Sequence, residues 1–111
     1  MVDRDAVARG DIYLVGLDPT IGSEIQKTRP CLIVSPDELS SYLRTTIVAP
    51  MTTGGRPYPW RIPCHFAGRS GFVALDQIRT VDVRRLIRSL GRLPDATMHE
   101  VLRSLQEMFA D

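Results

Sequence analysis

The stretch DPTIGSEIQKTRPCLIVS, residues 18–35, joins a long polar loop to an apolar strand and decides the fold. Its polar part, residues 18–30, is longer than most connections in compact domains, so we interpret it as a binding loop. At the end of this loop, the ring of Pro30 keeps Arg29 extended and limits where the guanidinium can point. A fixed guanidinium suits phosphate, which makes Arg29 the first candidate site residue.

The sequence on either side of this stretch predicts a series of short strands. Residues 11–17 are apolar and stop at Asp18-Pro19, a pair that ends a strand and opens a turn. Pro50 cannot donate to a sheet ladder, so we place it at an edge or at a strand end. By the same criteria, further strands are predicted at residues 31–35, 45–51, 60–66, 72–76, 77–83 and 86–93.

Helices are predicted at two places. Pro36 and the two acids that follow it favour one or two helical turns over residues 36–43. Residues 95–110 carry apolar side chains at helical spacing, and Thr97 with Glu100 predicts a capping box. Short strands, Gly/Pro turns and one terminal helix favour a mainly β fold, a small and strongly bent antiparallel barrel.

Length and composition predict a single domain, residues 1–111, that folds without metal or disulfide support. No apolar run is long enough for a signal peptide or a membrane span, so we expect the cytosol. Cys31 and Cys64 are expected to be buried free thiols, and no zinc site is predicted. Although the net charge is only +1, residues 56–92 carry eight arginines against two aspartates.

Short motifs in a fixed order resemble the MazF/PemK/Kid family of toxin ribonucleases. They are Arg9-Gly10-Asp11-Ile12-Tyr13, Leu17-Asp18-Pro19, Gly22-Ser23-Glu24, Arg29-Pro30, Val34-Ser35-Pro36, Val48-Ala49-Pro50-Met51-Thr52 and the later run from Gly71 to Gln77. The resemblance implies an SH3-like barrel with helical additions and a sequence-specific, metal-independent endoribonuclease without a cofactor. It also implies the toxin of a toxin–antitoxin pair, a homodimer, and an antitoxin whose disordered tail competes with RNA for the same groove.

Metal-free RNA cleavage uses the 2′-hydroxyl of the RNA as the nucleophile and leaves a 2′,3′-cyclic phosphate. The protein then has to take the 2′ proton, stabilise the phosphoryl oxygens and protonate the leaving oxygen. Arg29 suits the phosphoryl oxygens, and Thr52 can add a hydroxyl donor; both match catalytic positions of the family. Glu24 is our candidate for the 2′ proton, with Asp76 as the alternative, and the acid stays unassigned.

Aromatic and basic residues interleave after residue 55, a mixture that stacks unpaired bases and follows a phosphate backbone. Single-stranded RNA is therefore the implied substrate, and the neighbour of Asp76, Gln77, could read a base edge. The predicted RNA-binding set is Asp18, Ser23, Lys27, Thr28, Thr53, Arg56, Trp60, Arg61, Asp76 and Gln77.

The chain departs from Kid at two positions, since Ser23 stands where Kid has histidine and Ala74 where Kid has arginine. A Kid-like set of proton-transfer groups is therefore not expected. The alternative function is a non-catalytic binding module on the same barrel, like the gyrase poison CcdB.

Overall fold

The structure, a computed structural model, describes residues 2–111. Within this range it has seven strands, two α-helices and short 3-10 turns at Arg4–Ala6, Leu75–Gln77 and Val83–Arg85. The order is β1 (Asp11–Gly16), β2 (Thr28–Ile33), α1 (Asp37–Tyr42), β3 (Thr45–Thr53), β4 (Arg61–Phe66), β5 (Arg69–Ala74), β6 (Arg79–Asp82), β7 (Leu86–Arg92) and α2 (Asp95–Met108). None of these helices is long and apolar enough to cross a bilayer.

The strands form one antiparallel sheet in the order β4-β5-β3-β2-β1-β7. The central strand, β3, pairs with β2 on one edge and, on the other, first with β6 and then with β5. The two ends of the sheet approach each other. Cys64 and Phe66 of β4 and Leu90 of β7 line one surface hollow between them. The ladder does not close within residues 2–111, but the sheet curls into the barrel-like, mainly β fold that the sequence predicts.

Two prolines occupy positions that the sequence did not predict. β2 starts at Thr28, so Arg29 and Pro30 lie inside the strand and not at the end of the loop before it. Pro50 lies inside the central strand, opposite Cys31, and the edge placement was wrong. It is tolerated because the other edge of β3 changes partner there, from β6 up to Val48 to β5 from Met51.

At β1 and β2, both faces of the sheet are covered by the chain itself. Ile12 and Leu32 belong to a core cluster with α2, whereas their neighbours Tyr13, Val15 and Cys31 belong to a second cluster on the opposite face. Strands buried on both faces carry continuous apolar runs. The apolar runs of β1 and β2 are therefore explained within one chain, and they are no evidence for a second subunit.

The terminal helix packs on the barrel as its spacing predicts, with Met98 and Val101 buried in the first core cluster. The predicted capping box was wrong, because α2 begins at Asp95 and Thr97 is already inside the first turn. Pro94 occupies the N-cap position without a side-chain hydrogen bond. Proline at the helix start stops the preceding strand and needs no N–H partner of its own.

The two cysteines are free thiols, as expected. Cys31 is fully buried in the second core cluster, and burial raises the pKa of its thiol to about 12 against the opposing charges of Arg79 and Arg29. Cys64 is half-buried in β4, and burial raises its pKa as well. High pKa values keep both thiols protonated and poorly nucleophilic near neutral pH.

Candidate active site

Arg29 and Thr52 come together across the β2–β3 pair. The register pairs Cys31 with Pro50, and continuing it by two residues sets Arg29 opposite Thr52. Both residues line one hollow with a volume of about 450 Å³, and its rim also carries Thr28 and Thr53. Two strands of one rigid sheet therefore hold the two predicted catalytic residues side by side.

The guanidinium of Arg29 is partly anchored. Its Nε donates a 2.9 Å hydrogen bond to the carbonyl of Gln26, in the loop that precedes β2. The two Nη groups extend beyond this anchor, and together they form the face of the fork that binds two oxygens of one phosphate. The anchor fixes the direction of the fork, as the sequence argument requires.

The hydroxyl of Thr52 is unusual for a buried group. Its oxygen is buried and has no hydrogen-bond partner among the described residues. Leaving a buried hydroxyl unsatisfied costs about 1–3 kcal/mol, and such groups in native structures call for an explanation. Thr52 as a residue lines the hollow, so a substrate bound there is the partner that we expect for this hydroxyl.

The floor of this hollow is largely apolar. Pro30, Met51, Cys64, Phe66 and Leu90 contribute apolar surface, and Arg69 adds a second exposed guanidinium near the rim. An apolar floor beside cationic groups offers an unpaired nucleotide both parts that it needs, a surface for the base and charge for the phosphate.

The predicted carboxylates lie in a second, neighbouring cleft of about 400 Å³. Glu24 and Asp76 line it together with Ser23, Gln77 and Pro50. Pro50 lies two residues before Thr52 in β3, so the cleft and the hollow adjoin along this strand. The structure therefore divides the predicted site in two, with the arginine and threonine on one side and the carboxylates on the other.

Asp76 is held in an ion pair. The guanidinium of Arg61 donates from Nε to Oδ1 at 2.7 Å and from Nη2 to Oδ2 at 2.9 Å. This contact holds the pKa of Asp76 below its ordinary value, with burial as a weaker opposing effect. A carboxylate with a lowered pKa is a weak proton acceptor, so between the two candidates the geometry favours Glu24.

Gln77 fastens the loop that carries Glu24. Its Nε2 donates to the carbonyl of Ser23 at 3.1 Å, and its Oε1 accepts from the amide of Ile25 at 2.7 Å. Both ends of the amide are thus engaged by the loop, on either side of Glu24. Gln77 nevertheless lines the cleft, and base reading by this residue stays a prediction.

Asp18 closes the base of the same loop. Its Oδ1 accepts from the amide of Lys27 at 3.0 Å and from the hydroxyl of Thr20 at 3.1 Å. The backbone bond from Lys27 is the main cause of a lowered pKa at Asp18. Arg79 and Arg85 donate to the carbonyls of Leu17 and Asp18, at the start of the same loop. Asp18 is therefore engaged in loop structure through Oδ1, and because it is exposed its contact with RNA stays a prediction.

Comparison with known protein families shows which family this chain belongs to. A family described as "PemK-like, MazF-like toxin of type II toxin-antitoxin system" matches residues 8–109. The chain belongs to this toxin family. The resemblance inferred from the motifs is thereby confirmed.

Individual relatives agree over nearly the whole toxin chain. Endoribonuclease PemK of Escherichia coli is 42% identical over 105 residues, covering 89% of this chain and 79% of that protein. MazF from Deinococcus radiodurans superposes with a TM-score of 0.82 at 26% identity, covering 92% of this chain and 94% of its own. A mycobacterial endoribonuclease solved in complex with its cognate antitoxin has a TM-score of 0.77 at 25% identity, covering 92% and 93%.

The remaining predicted RNA-binding residues of the toxin differ in how available they are. Lys27, Thr28, Thr53 and Arg56 are exposed beside the hollow or on the following loop. Trp60 is half-buried against the first core cluster with a left-handed backbone φ of 68°, so the predicted stacking platform is largely taken up by the core. Tyr58, 54% exposed with Arg61 over its ring at 5.8 Å, is the available aromatic in this loop.

Four residues that shape this site were not predicted from the sequence. Arg79 and Arg85 were counted only as basic charge, yet they hold the loop backbone. Leu90 is distant in sequence and joins the hollow only because the sheet curls. Gly71, quoted as part of a motif, packs directly against the backbone of Thr52. Within residues 2–111, no three His, Cys, Asp or Glu side chains are arranged to hold a metal ion.

Proposed function

We propose that this toxin is an endoribonuclease that cleaves single-stranded RNA through attack of the 2′-hydroxyl on the adjacent phosphorus. The observation that carries the proposal is that Arg29 and Thr52 line one hollow and that the Thr52 hydroxyl is buried without a hydrogen-bond partner among the described residues. The 42% identical relative from Escherichia coli carries the name Endoribonuclease PemK and supports the same activity.

In this mechanism the scissile phosphate lies between the Arg29 fork and the Thr52 hydroxyl. As negative charge grows on the phosphoryl oxygens, both donors stabilise it, and the backbones that carry them are held by the paired strands β2 and β3. No step requires a metal, since the nucleophile belongs to the RNA.

Glu24 is the proposed acceptor of the 2′ proton. It is exposed on the loop, and its Oε1 accepts from the amide of Ile21 at 2.6 Å, which orients the carboxylate. RNA that passes from the hollow to the cleft would bring its ribose toward this loop. The acid that protonates the leaving oxygen has no candidate among the residues of the hollow.

We further propose that the substrate strand follows the exposed side chains around the hollow. The proposed RNA contacts are Ser23, Lys27, Thr28, Thr53, Arg56 and Tyr58. An antitoxin with a disordered acidic and apolar tail would bind the same hollow, where its carboxylates meet Arg29 and Arg69 and its apolar side chains meet the floor. Since the substrate is cellular RNA, the toxin would act in the cytosol.

A homodimer stays part of the proposal, resting on the family resemblance alone. Light scattering of the purified toxin at micromolar concentration is expected to give about twice the chain mass of 12.4 kDa. A mass of one chain would remove the dimer from the proposal without affecting the cleavage chemistry.

The experiment is cleavage of an end-labelled single-stranded RNA by purified toxin in excess EDTA. We expect cleavage to persist and the 5′ fragment to end in a 2′,3′-cyclic phosphate. An RNA with a single 2′-deoxy nucleotide at the cut site should be resistant. Activity that disappears with EDTA and returns with magnesium would contradict the mechanism, and absence of any cleavage would favour the non-catalytic, CcdB-like alternative.

A further inference from the structure

Gly71 is in closer contact with the candidate site than any other glycine of the described chain. It lies in β5, paired with Thr53 of β3 on one side and Cys64 of β4 on the other. A Cβ built on Gly71 would lie 1.8 Å from the carbonyl oxygen of Thr52 and 2.8 Å from its carbonyl carbon. Cβ atoms essentially never approach other atoms closer than 3.0 Å, so the peptide after Thr52 occupies the space of the missing side chain.

The requirement for glycine here is one of space and not of backbone conformation. The φ angle of Gly71 is not in the left-handed region, unlike that of Gly68 three residues earlier in the hairpin turn. Any L residue could adopt the backbone of Gly71, but only glycine allows β3 to lie this close. The close approach of two backbones is a known reason for glycine inside a strand.

The close approach is at the residue whose hydroxyl is orphaned. Thr52 Oγ1 is buried without a partner, and a β-branched side chain has few rotamers once its backbone is fixed. The direction of that hydroxyl is therefore set by where the backbone of Thr52 lies. Gly71 determines that position, because β3 and β5 meet there with no side chain between them.

We propose that Gly71 is the positioning residue for the Thr52 hydroxyl, whose place beside the hollow it sets by allowing β3 to close onto β5. The inference rests on the proposed function, in which this hydroxyl donates to the scissile phosphate. Gly71 also lines the hollow with its backbone, but it has no side chain of its own, and in this proposal its effect on the reaction passes through Thr52.

The test is single-turnover cleavage by Gly71→Ala, Thr52→Val and the double variant, each with thermal unfolding as a measure of folding. The added methyl must push the Thr52 peptide away by about 1 Å or more, and a displacement of this size near reacting atoms can cost ~10²-fold in rate. We expect a loss of that order for Gly71→Ala, with little change in the Kd of an uncleavable 2′-deoxy RNA.

The matched control is Gly16→Ala. Gly16 is also a strand glycine, its φ is ordinary, and nothing lies within 4 Å of a Cβ built on it. The same Gly→Ala change at this position should leave the cleavage rate within about twofold of the wild type, since surface substitutions away from special features have small effects.

The double variant distinguishes positioning from general damage. If Gly71 acts through the hydroxyl, adding Gly71→Ala to Thr52→Val should cost almost nothing further, because the hydroxyl is already gone. Wild-type cleavage by a folded Gly71→Ala variant would overturn the proposal. An equal loss in the Thr52→Val background would overturn it as well, because the effect would then pass through another group.

A second measurement covers the case in which Gly71→Ala does not fold. Three-bond couplings of Thr52 in the wild-type toxin, measured by NMR, should report one χ1 rotamer, as expected of a side chain fixed by its backbone. Rotamer averaging at Thr52 would overturn the proposal. This readout does not depend on RNA, so it still decides the inference if the wild type proves not to cleave and the proposed function fails.

Discussion

Arg29 allows charge and geometry to be separated by two substitutions. Arg29→Ala should lower the single-turnover rate by roughly 10²–10³-fold, the usual loss when one donor to a developing oxyanion is removed. Arg29→Lys keeps the charge but has no planar fork, so it should recover only a small part of that rate.

The fold should survive both changes at Arg29, because its guanidinium is partly exposed and makes one hydrogen bond, to the carbonyl of Gln26. Thermal unfolding of each variant is the control. Near-wild-type cleavage by a folded Arg29→Ala protein would remove this residue from the mechanism and leave Thr52 and Glu24 as the site.

Thr52→Val should have opposite effects on stability and on activity. Replacing the orphaned hydroxyl by a methyl removes a buried unsatisfied group, which should raise the free energy of unfolding by about 1 kcal/mol and Tm by roughly 4 °C. The rate should fall by ~10²-fold, since a donor to the phosphate is lost. Melting curves and single-turnover cleavage measure the two effects, and a lower Tm would contradict the assignment of an unpaired hydroxyl.

At the scale of residues, the sequence identified side chains with chemistry of their own and missed those that act through neighbours. The proximity of Arg29 and Thr52 was predictable because both stood in family motifs on strands expected to be neighbours; their catalytic roles stay predictions. The engagement of Asp18 and Gln77 by the loop was not predictable. Their partners Lys27 and Ser23 lie 9 and 54 residues away, and only the folded chain shows which backbone groups need them.

The loop between β1 and β2 is expected to be held in place by Gln77. Gln77→Leu keeps the approximate size of the side chain but loses both hydrogen bonds to the loop, at Ser23 and Ile25. Amide hydrogen exchange in residues 21–25 should become faster, because this region would open more often. The cleavage rate should fall by about tenfold if Glu24 takes the 2′ proton.

Gln106→Leu, on the exposed side of α2, is the matched control for Gln77→Leu and should change neither exchange in the loop nor the rate. Faster exchange with an unchanged rate would show that the loop is held by Gln77 but that Glu24 does not act in cleavage.

At the scale of elements, the existence of each strand and helix was predicted, while the boundaries and caps were not. Apolar runs and turn residues mark a strand, but they do not show which partner its edges face. Within residues 2–111, each of the two prolines lies where one edge of its strand has no ladder partner, so its missing N–H breaks no hydrogen bond on that edge. At Pro30 the pairing of β2 with β3 has not yet begun, and at Pro50 β3 is between its partners β6 and β5. The box at Thr97 was wrong because the helix starts at Asp95, directly after Pro94.

The pH dependence of stability should include the Arg61–Asp76 pair. The pKa of Asp76 is lowered in the folded toxin, mainly by the hydrogen bonds from Arg61. The pair therefore stabilises the fold fully when the pH is above the pKa of Asp76 in the unfolded chain, which is about 3.9. This stabilisation is lost as the pH falls through the lower pKa of Asp76 in the folded chain. Because the Asp76 side chain is 38% exposed, the contribution is small.

The measurement is Tm from pH 7 to pH 2.5 for the wild type and for Asp76→Asn. The difference in Tm between the two proteins should be constant above about pH 5 and should shrink below about pH 4. Asp18 and Asp82, whose pKa values are also lowered, titrate in both proteins and cancel in this difference. A difference that grows on acidification would contradict the ion pair.

The central position of β3 determines when the toxin can first become harmful during its own synthesis. β2 supplies Arg29 early, but Thr52 is fixed only after β5, which ends at residue 74, has been made and has paired with β3. The core on that side of the sheet is completed only by α2, at the end of the chain. A nascent chain on the ribosome, surrounded by RNA, therefore contains the arginine and the threonine long before it contains the site, and a truncated chain that ends before β5 should be harmless.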